Sequence, residues 1–135
     1  MKIIEGRISS PFGDRIHPIE KKLKFHNGID IACSIGTLIY SPIEGKIMKV
    51  YFDPCGGNTL IIGDENNMRF GFCHLSKVFF PEGTRIKKGH AIAESGNTGR
   101  ITGAHVHFTV KEDGQWQGSE YVGGRWVNPE KYLEL

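Results

Sequence analysis

Apolar and polar residues alternate along residues 103–110, where Val106, Phe108 and Val110 interleave with His105, His107 and Thr109. A period of two marks a half-buried strand, with the apolar set packed and the polar set on the opposite face. The same reading, in shorter stretches, predicts strands over 2–8, 26–31, 37–40, 45–51, 58–62 and 68–73. Turn-forming residues punctuate them: residues 9–13, Pro42, Gly45, the Asp-Pro-Cys-Gly-Gly of 53–57, and Asn66 with Asn67. Residues 14–25 are polar and broken by Pro18, which predicts a loop carrying Arg15 and His17. Trp116, Tyr121 and Trp126 surround Gly123 and Gly124 in a predicted hairpin over 115–127, and Asn128-Pro129 then leads to the end of the sequence. No segment supports a helix longer than about two turns.

The chain also repeats itself weakly. The Gly-Thr-Leu-Ile of 36–39 ahead of Gly45 is echoed by the Gly-Thr-Arg-Ile of 83–86 ahead of Gly89. Two strand–turn–strand copies suit a barrel or sandwich with internal pseudo-symmetry. The fold class expected is all-β, an antiparallel, barrel-sandwich-like sheet with long loops and little helix. At 135 residues the chain is expected to form one domain, with a core over about 8–110 and a C-terminal hairpin and tail over 111–135.

Composition narrows the partners. Charged residues make up 24% of the chain, the net charge is +2, and the basic residues are scattered, so no nucleic-acid partner is expected. No apolar run reaches the length of a membrane span, and the first residues lack the apolar stretch of a signal peptide. No membrane association is expected, and action outside the cytoplasm would need another delivery route. Cys33, Cys55 and Cys73 are odd in number and contain no Cys-x-x-Cys pair, which points to reduced thiols.

Chemistry enters with the histidines. On one face of a strand, His105 and His107 lie roughly 6–7 Å apart. A polar strand face turned to solvent would explain them, and so would a metal held by one with chemistry assisted by the other. His26 and Asp30 flank Gly28 at a spacing that keeps both side chains on one face of an extended chain. Two imidazoles and one carboxylate make the three-ligand set of a catalytic zinc with a fourth position open. Alternation does not rank His105 against His107 as the second imidazole, and Asp30 taken alone also reads as a turn residue. His74 falls where a predicted strand ends, a usual place for catalytic groups and also for a simple loop histidine.

Three motifs, in order, carry a resemblance: His26-x-x-x-Asp30, the Phe-Cys-His-Leu-Ser of 72–76, and the Gly-Asn-Thr-Gly-Arg-Ile-Thr-Gly-Ala-His-Val-His-Phe of 96–108. Together with the Ser-Pro-Phe-Gly-Asp-Arg-Ile-His-Pro of 10–18 and residues 36–45, they resemble the M23 metallopeptidases, the lysostaphin/LytM-type peptidoglycan endopeptidases. The likeness runs from about Ile8 to Val110. It implies the duplicated hybrid motif of that family and one Zn²⁺ ion held by His26, Asp30 and His107. It also implies a catalytic pair of His105 and His74, and an electrostatic role for Arg15. Phe72 stands where the family often has tyrosine, and Ala104 where proline is frequent; neither is an implied ligand.

The function this implies is hydrolysis of peptide bonds in bacterial peptidoglycan, in the stem or the cross-bridge, by a monomer acting at the cell wall. A phage lysin or virion-borne domain, or a piece of a longer autolysin, would suit such a chain. Three rivals compete: a non-catalytic LytM-like module that binds wall or activates an amidase, a biotinyl or lipoyl carrier, and a cysteine peptidase built on Cys73 or Cys55. The first typically lacks ligands that are present here, and the second leaves the histidines without a role. For the third, Cys73 and His74 would point to opposite faces of a regular strand.

Overall fold

The computed structural model describes residues 1–17, 19–101 and 103–135. Its elements are strands β1 (Arg7–Ser10), β2 (Gly13–Ile16), β3 (Leu23–His26), β4 (Gly28–Ala32), β5 (Leu38–Tyr40) and β6 (Gly45–Asp53). They continue with β7 (Gly57–Gly63), β8 (Arg69–Val78), β9 (Arg85–Ile86), β10 (Ala91–Ser95), β11 (His105–Gln117) and β12 (Glu120–Val127), and end in a 3₁₀ turn, Pro129–Tyr132. The main sheet runs β1-β4-β11-β8-β7-β6-β9, with β12 paired to β11 and β10 bridging β8 and β5; β2 and β3 form a separate two-stranded ribbon. Every pairing between these strands is antiparallel. The expected all-β class is what the chain adopts.

Alternation explains how β11 organises this sheet. Val106, Phe108 and Val110 are completely buried, against Ile29 and Ile31 of β4 and Phe70 and Phe72 of β8. The Phe108 ring stacks on Phe72 at 5.0 Å and lies 6.4 Å from Phe70, both nearly parallel. Burying each such side chain contributes about 1.5–3 kcal/mol, enough to hold β11 in one register. Because register fixes facing, packing the apolar set commits His105, His107 and Thr109 to the other side.

The local predictions differ from the structure in three places. Of the first predicted strand, 2–8, only Arg7 and Ile8 join the sheet, in a β1 that runs on through Ser9 and Ser10 of the predicted turn; Lys2 and Ile4 make single bridges to Glu134 and Ile39. Residues 14–25 are not a loop, because β2 and β3 pair within them. The ribbon exposes Ile16, Leu23 and Phe25, so no buried face imprints its periodicity on the sequence. Its turn is held by His17, whose backbone bonds Lys22 and Lys21 and whose Nδ1 accepts from the amides of Ile19 and Glu20. Pro18, which motivated the loop reading, lies outside the described residues. The C-terminal hairpin is real, but its turn is at Gly118 and Ser119, while Gly123 and Gly124 sit within β12 with positive φ. Tyr121 packs over Gly114, which any Cβ would obstruct.

Candidate metal centre

β4 and β11 run antiparallel in a register that sets His107 directly across from Asp30. Gly28 makes that approach feasible, since a Cβ there would lie 2.3 Å from the Phe108 carbonyl oxygen. His26 ends β3 and folds back, bringing its Nε2 to 3.4 Å from Asp30 Oδ1. His107 Nδ1 is 2.9 Å from the same oxygen and His105 Nε2 is 3.6 Å from it. One ligand atom from each of His26, Asp30 and His107 falls within 4.8 Å of the others. Two donors on one tetrahedral zinc lie about 3.3 Å apart, so the set has the right size.

The hydrogen bonds behind these rings orient them. His26 Nδ1 donates to the Pro11 carbonyl, His74 Nδ1 to the Thr98 carbonyl and His105 Nδ1 to the Gly103 carbonyl, each at 2.8 Å. In the neutral rings this leaves the Nε2 lone pairs free. His107 is turned the other way: its Nε2 meets Asn27 Oδ1 at 2.9 Å. Donation to Asn27 leaves an Nδ1 lone pair facing the Asp30 carboxylate, and two lone pairs at that distance repel unless a proton or a cation lies with them. Such a donor set fits a divalent ion. Asn27 was not picked out from the sequence; its position between His26 and Gly28 gave no sign that it would turn toward a histidine eighty residues away.

Burial works to raise the Asp30 carboxyl, but His107 and then His26, when protonated on the nitrogens that face it, hydrogen-bond it and hold it well below the usual carboxylate range, the place a cation would otherwise take. It remains an anion. For His74 burial dominates in the other direction: it lowers the imidazole, the Thr98 carbonyl opposes this, and His105 and His107 lower it further. The His74 and His105 rings sit 4.8 Å apart, nearly perpendicular.

His74 arrives there through a bulge. Between Phe72 and Leu75 β8 has one residue more than its partner β7, and His74 takes φ of 67°. Cys73 and His74 therefore both line the cleft rather than pointing to opposite faces. The cysteine-peptidase rival gains nothing, because burial pushes the Cys73 thiol up and away from thiolate. The glycine-bracketed loop before β11 fixes His74 in turn: Thr98 Oγ1 bonds the Leu75 carbonyl and the Asn58 amide, and Gly57 and Gly99 pack so closely that a Cβ on either would strike backbone within 2.4 Å.

The cleft over these groups is about 550 Å³, and Arg15, Phe25, Arg100 and Trp126 help to wall it. Arg15 thus reaches the site from the β2–β3 ribbon, and its buried Nε has no partner. All six residues singled out in the sequence — His26, Asp30, His74, His105, His107 and Arg15 — share this one cleft. A larger hollow, about 710 Å³ around Glu44, Asp64, Arg85 and Trp116, contains none of them.

Residues 24–119 match the model of peptidase family M23. The chain is 40% identical over 105 residues to peptidoglycan DD-endopeptidase ShyA of Vibrio cholerae, covering 77% of this chain and 24% of that protein. The matched stretch thus spans about a quarter of that relative's length. Among solved structures, a zinc-containing peptidase from Vibrio cholerae is 36% identical with a TM-score of 0.75, over 90% of this chain and 35% of that one. The catalytic domain of lysostaphin from Staphylococcus simulans superposes with a TM-score of 0.79 at 26% identity, over 95% of this chain and 92% of that one. The chain belongs to peptidase family M23.

Proposed function

We propose that the chain is a zinc endopeptidase that hydrolyses peptide bonds of bacterial peptidoglycan at the cell wall, with one Zn²⁺ held by His26, Asp30 and His107. The observation that carries this is the convergence of His26 Nε2, Asp30 Oδ1 and His107 Nδ1 on one point of an open cleft. The name of the Vibrio relative and the zinc reported for the Vibrio structure support the substrate class and the metal. A zinc bound there would acidify a water and polarise the scissile carbonyl.

The chain's own residues then handle the proton. His105 and His74 each present a free Nε2, because each Nδ1–H is committed to a backbone carbonyl. His105, nearer Asp30, accepts the proton of the attacking water. His74, kept neutral by burial and with Nδ1–H held by Thr98, receives at Nε2 the proton the water released, by way of the His105 ring 4.8 Å away. It then hydrogen-bonds the developing oxyanion and hands that proton to the leaving amine as the C–N bond breaks. Arg15 and Arg100 add positive charge along the wall of the cleft, where an oxyanion would be stabilised. One chain supplies all these groups, so the proposed site needs no second copy, which supports reading the acting unit as a monomer.

Incubating the zinc-loaded protein with purified walls, and identifying released fragments by mass spectrometry, tests this reading. New amino termini on wall peptides, lost with a chelator and restored by zinc, are expected. Hydrolysis that survives the chelator, or that persists in Asp30→Ala, would overturn it.

A further inference from the structure

The sheet face that carries the metal centre continues past it. Cross-strand partners on this face form successive rows: Asp30, His107 and Cys73; then Gly28, Thr109 and Gly71; then Arg69, Lys111 and Trp126 across β8, β11 and β12. The last row lies four residues along β11 from His107, about 13 Å at the rise of a strand. Arg69 and Lys111 both stand over the Trp126 ring, at 5.4 and 4.6 Å from its centroid. They line a hollow of about 260 Å³ with Lys49 and Tyr51, and Trp126 walls both this hollow and the cleft of the metal centre.

The charges in this row are unmatched. Glu120, the one carboxylate in the hollow, is taken by Lys49. Neither Arg69 nor Lys111 forms an ion pair among the described residues. Arg69 is half-buried, and its Nη1 has no hydrogen-bond partner. The guanidinium lies beside Gly71 in the neighbouring row, where a Cβ built on the glycine would be in van der Waals contact with Nη1 at 3.4 Å. A half-buried guanidinium with an unpaired N–H, a second cation beside it and an aromatic face beneath both is an arrangement suited to a planar oxyanion.

We propose that Arg69, Lys111 and Trp126 form a carboxylate-binding subsite, which selects wall peptides bearing a free carboxylate about four extended residues from the cleaved bond. This rests on the endopeptidase reading above and extends it to specificity: acidic stem peptides are favoured over uncharged bridges. The row is a specificity element and takes no part in bond cleavage.

The test uses two cross-linked stem peptides that differ only in a free α-carboxylate or its carboxamide on the isoglutamyl residue, with the zinc-loaded protein. Wild type is expected to favour the acid by about tenfold in kcat/KM, and Lys111→Gln and Arg69→Gln to bring the ratio toward one. Binding is read without turnover by calorimetry, using the acetylated tripeptide of the stem in its acid and amide forms and, separately, inorganic phosphate. Tighter binding of the acid form, weakened in Lys111→Gln, supports the subsite. Equal binding of the two forms overturns it, as does a site that takes phosphate but does not distinguish the peptides. A protein that binds the acid form selectively yet cleaves neither cross-linked peptide would overturn the endopeptidase reading and leave the subsite standing.

Discussion

His107 and Asp30 face each other across the β4–β11 ladder with Nδ1 and Oδ1 2.9 Å apart, and the far nitrogen of the same ring rests on Asn27. In the proposed site the pairing gives Asp30 two functions, completing the ligand set and holding a negative charge within 3.6 Å of His26, His105 and His107. Replacing Asp30 by asparagine keeps the shape and removes the charge. Zinc affinity is expected to fall at least 100-fold, with loss of hydrolysis in parallel. His105→Ala is expected to bind one equivalent of zinc as wild type does, while the rate falls by about two to four orders of magnitude. Zinc titration against a chromophoric chelator, beside turnover, checks both; zinc lost from His105→Ala would reassign the ligands.

Asn27 supplies a second test, because a residue that only orients a ligand has a graded effect. Without its Oδ1, the His107 ring can flip and offer either nitrogen. Asn27→Ala is expected to weaken zinc by about 10–100-fold, leaving its stoichiometry at one. A full loss of zinc would make Asn27 more than a positioning residue, and no change would show that Asp30 and the strand orient His107 unaided.

How much of this was legible in the sequence depends on which residues are buried. β11 and β4 advertise themselves because one face is packed, so alternation shows where His105, His107 and Asp30 must point. The β2–β3 ribbon has no packed face and looked like a loop, although it carries Arg15 into the cleft. His74 illustrates a different gap. A bulge leaves no mark in a two-residue period, so regular alternation places Cys73 and His74 on opposite faces, and only the positive φ at His74 reveals otherwise. Pairing between strands distant in sequence, which sets Arg69 beside Lys111 and Trp126, has no local signature at all.

Gly28 should prove intolerant of any side chain. A Cβ there meets the Phe108 carbonyl at 2.3 Å and Thr109 at 2.8 Å, so β4 and β11 must separate. Gly28→Ala is expected to cost about 3 kcal/mol or more, seen as a lower denaturation midpoint, and to weaken zinc by displacing Asp30 from His107. Retained stability would mean that the two strands part without strain.

Burial lowers His74 below its ordinary value of 6.5, which makes acid stability depend on it. The unfolded chain takes up a proton near pH 6.5, whereas the folded one resists it. Below that pH protonation therefore favours unfolding, and the effect is absent above it. In zinc-free protein, His74→Gln is expected to lose less stability than wild type between pH 6.5 and 5. Parallel profiles for the two would show that His74 titrates normally in the fold.

The C-terminal 3₁₀ turn is tied to β11 by a hydrogen bond from the Tyr132 phenol to the Glu112 carboxylate, with Lys131 adding an ion pair at 3.2 Å. Burial, then the Glu112 bond and charge, push the Tyr132 phenol up to about 12, from an ordinary value of 10. A folded state that holds its proton more tightly than the unfolded one loses that advantage as pH rises from 10 through 12. Glu112→Gln removes the charge and keeps an acceptor, so one phenol is expected to return toward 10 in an absorbance titration at alkaline pH. The zinc content should not change, because Glu112 lies on the opposite face of β11 from His105 and His107. If no phenol moves, Tyr132 is not held by Glu112 in solution and the tail docks by its apolar contacts, chiefly the edge of Tyr132 on Phe70 at 5.2 Å.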